Sequence, residues 1–266
     1  MARREQGFAV LIVLLTVALL ALLATQMIPV AHTETQITAN LHSELTQEVN
    51  ADGAVYAAAF QLLDRSDGDW SANGMLQRYK LPDSAIAVRI TDEANKINLN
   101  TASPDLLHAL LLSVGVDTDT ATRLAGAIVD WRETDGPTPS AAKAAQYAGR
   151  HYVPPEKPFR SVAELAFVAG MTPNLLAKLK PHLTIYSTYG PGAATTDPVA
   201  LAALTRLRTQ GGILPFDRDP SGEQVVQVIA TATSAAGVTF TRRAVLRVDP
   251  SSQDLPYAIL AWQRVE

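Results

Sequence analysis

Asp130, Glu133 and Asp135 place three carboxylates within six residues in DWRETDG, at the end of a predicted helix and next to a glycine turn. Hard oxygen donors gathered so closely could bind Ca²⁺. A second acidic group, Asp64, Asp67 and Asp69 around Gly68, lacks the later bidentate glutamate of an EF-hand loop and reads as a solvated turn. His32, His42, His108, His151 and His182 show no HExxH or other ligand spacing, so each reads as a surface or packing residue. There is no GxSxG elbow, phosphate loop or dinucleotide glycine pattern, and no convincing acid/base pair of carboxylates. No catalytic activity is predicted.

The elements that would position these groups begin with the most apolar part of the chain. Residues 8–31, FAVLIVLLTVALLALLATQMIPVA, carry no charge and follow a short head, MARREQG, that holds Arg3 and Arg4. As a helix this run would reach about 36 Å, more than the ~30 Å hydrocarbon core of a bilayer. It is too long for the apolar region of a cleaved secretory signal peptide, roughly 7–15 residues. The expectation is a retained single-pass anchor, with the basic head on the cytoplasmic side and the rest translocated. Apolar residues then recur at Ile37, Leu41, Leu45 and Val49, and at Val55, Ala58, Ala59 and Leu62, with the period of a helix. One helix of about 84 Å is therefore predicted from residue 8 to the stop at Asp64. Pro29, which has no amide hydrogen, is expected to kink it near the outer membrane surface.

Net charge is -4 and the sequence pI about 5.7, so no excess of positive charge advertises nucleic acid or an anionic membrane surface. Cysteine is absent, which removes disulfides, thiolate nucleophiles and cysteine metal sites. An exported domain of this kind must be stable by packing alone.

Beyond the first helix, sheet-forming sequence brackets a helical middle. Residues 81–91 alternate as a half-buried strand, and 224–233 with 238–248 read as a hairpin closed by Ser234-Ala-Ala-Gly237. Tyr257 to Trp262 supplies a further strand. Between them, Ser103-Pro104 opens a helix running to Gly115, and Asp117 starts another that ends near Trp131. Ser161-Val-Ala-Glu164 reads as a capping box, and Thr172-Pro173 caps a helix that stops at Pro181. An all-helical module is thus inserted between strands of one sheet, giving an α+β fold.

A faint internal repeat relates residues 103–128 to 161–183, with Gly115 and Gly170 in corresponding turns between helices. Paired helices of this form can hold a DNA backbone through turn amides, which raises the alternative of a membrane-anchored helix-hairpin-helix DNA receptor. Around the first turn, however, Asp105, Asp117 and Asp119 outnumber Arg123, whereas DNA binders cluster Lys and Arg. Plain scaffolding is the expected role, with no nucleic acid bound.

Gly7-Phe8, between a basic head and an apolar helix, resembles the type IV prepilin processing site, where an inner-membrane prepilin peptidase cuts after the glycine. Members of that family carry glutamate as the fifth residue after the cut, to neutralise the α-amine of a neighbouring subunit. Ile12 occupies that place here, and loss of such a pair within hydrocarbon predicts a poor internal repeat of a filament. With INLNTASPDLL at 97–107, AGAIVDWRETDGPTP at 125–139, FRSVAELAFVAGM at 159–171 and YAILAW at 257–262, the chain is similar to the minor pseudopilin K family of type II secretion systems.

That resemblance implies a leader at 1–7, a transmembrane segment at 8–31 and a periplasmic helix at 32–63. It further implies a pilin-like antiparallel sheet split between 64–96 and 183–266, and an inserted all-α domain of helix-hairpin-helix or SAM-like form at 97–182. The implied product is a methylated, inner-membrane, non-enzymatic subunit that caps a periplasmic filament with minor pseudopilins I and J and initiates its assembly. In relatives the acidic loop is completed by acids slightly downstream, whereas the matching stretch here is Ala141-Ala-Lys143-Ala144. Lys143 and Ala144 remove ligands and add a repelling charge, so calcium binding is expected to be weakened or lost.

Overall fold

The computed structural model describes residues 3–64, 70–133, 145, 147–150, 152–187, 189–215, 223–252 and 254–265, but not the side chains of 3–7 and 23–39. Its first element, α1, is a helix of 61 residues from Arg3 to Leu63, rich in the alanine and leucine that favour helix most. The described side chains of residues 8–22 are all exposed. Among the described residues, no helix is long and apolar enough to cross a membrane; the predicted 8–31 run extends past the last of those side chains. Pro29 lies inside α1.

A five-stranded, wholly antiparallel sheet packs on the distal third of α1. It comprises β1 (Asn73–Leu81), β2 (Ser84–Asp92), β5 (Gln224–Ser234), β6 (Thr239–Val248) and β7 (Tyr257–Val265), in the order β1-β2-β5-β6-β7. The chain leaves the sheet after β2 and returns beside it, with Ile86 opposite Ala232 and Ile90 opposite Val228. The hairpin of β5 and β6 turns where predicted, and Gly237 supplies the positive φ of 84°. Two sequence expectations need correction here. The strand placed at 81–91 begins at Ser84, because Pro82-Asp83 forms a tight turn that pairs Leu81 with Ser84. β1, before that turn, was not anticipated: as an edge strand with an irregularity between Asn73 and Leu76, it lacks a clean apolar alternation.

Between β2 and β5 lies the helical region, tied at its two ends by a short parallel pair, β3 (Ile97–Asn98) and β4 (Leu183–Thr184). Its helices are α2 (Pro104–Ser113), α3 (Thr118–Arg132), α4 (Pro173–Leu179) and α5 (Pro198–Thr209). Caps form as the sequence predicts: Ser103 accepts the Leu106 amide at 3.2 Å, Asp117 that of Thr120 at 3.0 Å, and Thr172 that of Leu175 at 3.3 Å. The predicted capping box does not form. Ser161 makes no cap bond, Glu164 accepts from the Arg160 amide at 3.3 Å, and 162–167 is a 3-10 turn. Gly115 and Gly170, in the corresponding turns of the repeat, share positive φ values of 89° and 86°.

Two cores result. One joins Ala51, Ala54, Val55 and Ala58 of α1 to Ile86, Val88, Val228, Ala230 and Leu246 of the sheet, where small alanines let helix and sheet approach closely. The other lies in the helical region, around Leu107, Leu110, Leu124, Ile128 and Leu165, and takes in Ile97 of β3 and Leu183 of β4. It also takes in Ala200, Ala203, Leu204 and Leu207 of α5, so the helical core draws on residues beyond 182.

Candidate assembly interface

Glu44, Glu48 and Asp52 recur every four residues along one line of α1, a spacing that aligns side chains on a helix. They meet two arginines that sit directly opposite each other on β6 and β7, Arg242 and Arg264. Arg242 places its Nε 2.5 Å from Asp52 Oδ1 and donates a second nitrogen to Glu48 at 2.6 Å, while Arg264 donates to Glu44 at 2.6 Å. Both guanidinium groups lie over the Phe240 ring at 4.9 Å, and Arg242 also lies over Trp262 at 5.2 Å. Burial alone would lower the Arg242 pKa, but hydrogen bonds and charge from Asp52 and Glu48 outweigh it and hold the guanidinium above its ordinary value. A polar lock adds to this joint: Ser84 at the start of β2 donates to buried Gln47 and accepts from Asn50, both at 2.8 Å. Sequence reading missed this set. The signal available was three acids at helical spacing together with arginines in a late strand, but their pairing crosses most of the chain.

A neighbouring line of α1 is turned away from the sheet core, and among the described residues its only ring contact is that of Tyr56 with Trp262, 5.6 Å between centroids. Leu41, Leu45, Val49, Tyr56 and Phe60 form an outward stripe, with Val49 68% and Phe60 64% exposed. The single apolar stripe expected from the sequence is therefore two: Leu41, Leu45 and Val49 face outward, whereas Val55, Ala58 and Ala59 enter the sheet core. Nearer the N-terminus, Phe8, next to Gly7, is 67% exposed and Ile12 is 45% exposed, in line with the apolar character of the whole segment. The side chain of Pro29, the predicted kink, lies outside the described residues.

At the acidic loop, Asp130 is in the last turn of α3 and Glu133 caps its end. The Glu133 carboxylate accepts from Arg132 at 3.0 Å, and Arg132 also donates to the carbonyls of Leu99 and Ala102, the latter at 2.7 Å. Arg132 thus ties the loop to the start of the helical region and competes with any cation for Glu133. Asp135, Lys143 and Ala144 lie outside the described residues, as do Asp67 and Asp69. Among the described residues, no group of three His, Asp or Glu side chains could hold a metal ion, and the donors that are described do not make a Ca²⁺ site. Of the histidines, His182 pairs with Asp197, Nδ1 to Oδ2 at 2.7 Å, a structural contact at the start of α5.

Residues 85–188 match the family model for "Type II secretion system (T2SS), protein K". Type II secretion system protein K of Klebsiella pneumoniae is 28% identical over 208 residues, 69% of this chain and 63% of its own length. A protein K relative from Escherichia coli K12 is 26% identical over 215 residues, 71% of this chain and 64% of the relative. The matched stretch thus spans less than two thirds of these relatives. Among solved structures, a chain of the GspK-GspI-GspJ complex from the type 2 secretion system of enterotoxigenic Escherichia coli superposes with a TM-score of 0.63. That match is 18% identical and covers 88% of this chain and 99% of the other, a likeness of fold.

Proposed function

We propose, from its similarity to type II secretion protein K, that this chain acts as a minor pseudopilin that joins minor pseudopilins I and J at the tip of a short periplasmic filament. The observation that carries the reading is the two-sided α1. Its inner line is consumed by its own sheet, while its outer line, Leu41 to Phe60, stays apolar and exposed apart from the contact of Tyr56 with Trp262, as a helix that packs beside other subunits requires. The helical region, with a core of its own, gives the distal end bulk that opposes addition of another subunit above it.

In this reading prepilin peptidase cuts between Gly7 and Phe8, and residues 8–31 hold the mature subunit in the inner membrane with its N-terminus cytoplasmic and its other domains periplasmic. Ile12, without charge to pair with a neighbour's amine, suits a terminal subunit that starts the filament. The role is structural and non-enzymatic. A DNA receptor has less support: Arg123 is engaged with Thr120 at 2.9 Å, and Asp117 caps its own helix beside it. Co-purification of the full chain, in detergent, with the pseudopilins I and J of its own secretion system tests the proposal. A stable ternary complex is expected; failure of all three to associate at micromolar concentration would remove the reading.

A further inference from the structure

Strand alternation sends Arg242 and Arg243 to opposite faces of the sheet. Arg242 is fully engaged by α1. Arg243 instead lines a cleft of about 730 Å³ on the face turned away from α1, between the strands and the helical region. Its Nε is buried without a hydrogen-bond partner, and among the described residues no carboxylate pairs with it. A donor withdrawn from water with nothing to bond is costly, and a bound acceptor would relieve that cost.

The acids around the cleft are already committed. Asp92 accepts the Ala94 amide at 2.8 Å; Glu93 takes Lys96 at 2.5 Å and Gln227 at 3.1 Å; Asp197 holds His182 and the amides of Val199 and Ala200. Beside the Glu93-bound Lys96, Lys180 adds a further cation on the helical wall, and Ile229 and Val245 form an apolar floor. With these three carboxylates held by neighbours, Arg243 and Lys180 are the cleft charges open to a ligand, and carboxylates spaced along an extended chain suit two separated cations better than the compact charge of a phosphate crowded against the acids. The lining runs from Gly74 on the edge strand β1 to Gln263 on the other edge, β7. At about 4.8 Å between strands, the four gaps span roughly 19 Å, the length of about six extended residues.

We propose that this cleft binds an extended acidic peptide segment of a partner polypeptide, one carboxylate of which is held by the Arg243 guanidinium over the Ile229 and Val245 floor. The inference stands apart from the pseudopilin reading, because it uses neither α1 nor the partners named above.

The test uses the full chain in detergent and fluorescein-labelled hexapeptides, Ala-Val-Glu-Val-Glu-Ala and its Gln counterpart, followed by anisotropy. Saturable binding of the acidic peptide is expected, weakening with salt, with the Gln peptide about tenfold weaker or worse. Arg243→Gln should lose about tenfold in affinity while keeping or raising Tm, and Arg243→Lys should retain part of the binding. Gln263→Glu, directly across the strand pair from Arg243, should supply an internal carboxylate and suppress binding without disturbing the fold. No saturable binding up to about 1 mM, equal affinity for both peptides, or wild-type affinity in Gln263→Glu would overturn the proposal. Stronger competition by inorganic phosphate than by acetate at equal concentration would overturn the carboxylate assignment. Should Arg243→Gln lower Tm sharply, Arg243 is a structural residue and the assignment fails.

Discussion

Arg242 on β6 holds Asp52 on α1 across 190 residues of sequence, its Nε 2.5 Å from Oδ1. With its side chain only 8% exposed and a second bond to Glu48, this arginine fixes where along the helix the sheet must sit. A slide of one helical turn, about 5.4 Å, would set either Tyr56 in place of Asp52 at Arg242 or Asn40 in place of Glu44 at Arg264.

Replacing Arg242 with methionine should therefore destabilise the fold by roughly 2 kcal/mol, between the values for exposed and for buried ion pairs, because Asp52 and Glu48 keep partial access to water. Denaturant unfolding of Arg242→Met, Asp52→Asn and the double variant measures it. Strict additivity of the two single effects would show that the pair does not couple.

On the outer line of α1, Val49→Asp and Phe60→Asp should leave Tm within about 1 °C of wild type, since exposed positions tolerate change. The same substitutions should weaken association with pseudopilins I and J by about tenfold or more. Loss of folding in either variant would show that the stripe serves this chain's own core.

Calcium should change the protein little. Glu133 is engaged by Arg132, and Lys143 and Ala144 stand where relatives are expected to supply acids. Calorimetry of the full chain with Ca²⁺ should show no tight binding, and Asp135→Ala should be without effect. Tight binding abolished by Asp135→Ala would reverse this.

Alkaline pH should weaken the fold through its tyrosines. Burial raises the phenol pKa of Tyr79, Tyr147 and Tyr186 above that of the unfolded chain. Their contribution is complete below the ordinary tyrosine value and is lost as pH climbs through the raised one, because the unfolded state then releases protons first. Tm should fall across about pH 10–11, and Tyr147→Phe should flatten part of that fall. At the acid end, the Thr120 amide holds the Asp117 carboxyl below its usual range. Its cap is present above the ordinary carboxylate value and lost as pH drops below it, so Asp117→Asn should reduce the acid sensitivity of α3.

Local signals were legible throughout the chain. Ser103, Asp117 and Thr172 announce helix starts because a cap needs only the next three amides, and Gly237 announces its hairpin because the turn closes on itself. Ser161 and Glu164 show the limit of such signals: the right residue types stand at the right spacing, but the segment settles as a 3-10 turn with Glu164 on Arg160. The edge strand β1 escaped notice since one neighbour and a bulge leave little apolar pattern to read.

By itself, the order of residues determined a long apolar leading helix and a helical insertion between strands, because each follows from composition or short-range periodicity. Only the tertiary structure decided that Leu41, Leu45 and Val49 face outward while Ala51, Ala54 and Ala58 meet the sheet, that α5 joins the helical core, and that Arg242 is satisfied while Arg243 is not. Periodicity shows that a helix has an apolar line but not which surface will cover it; that depends on a sheet whose strands β5 and β6 arrive more than a hundred residues later.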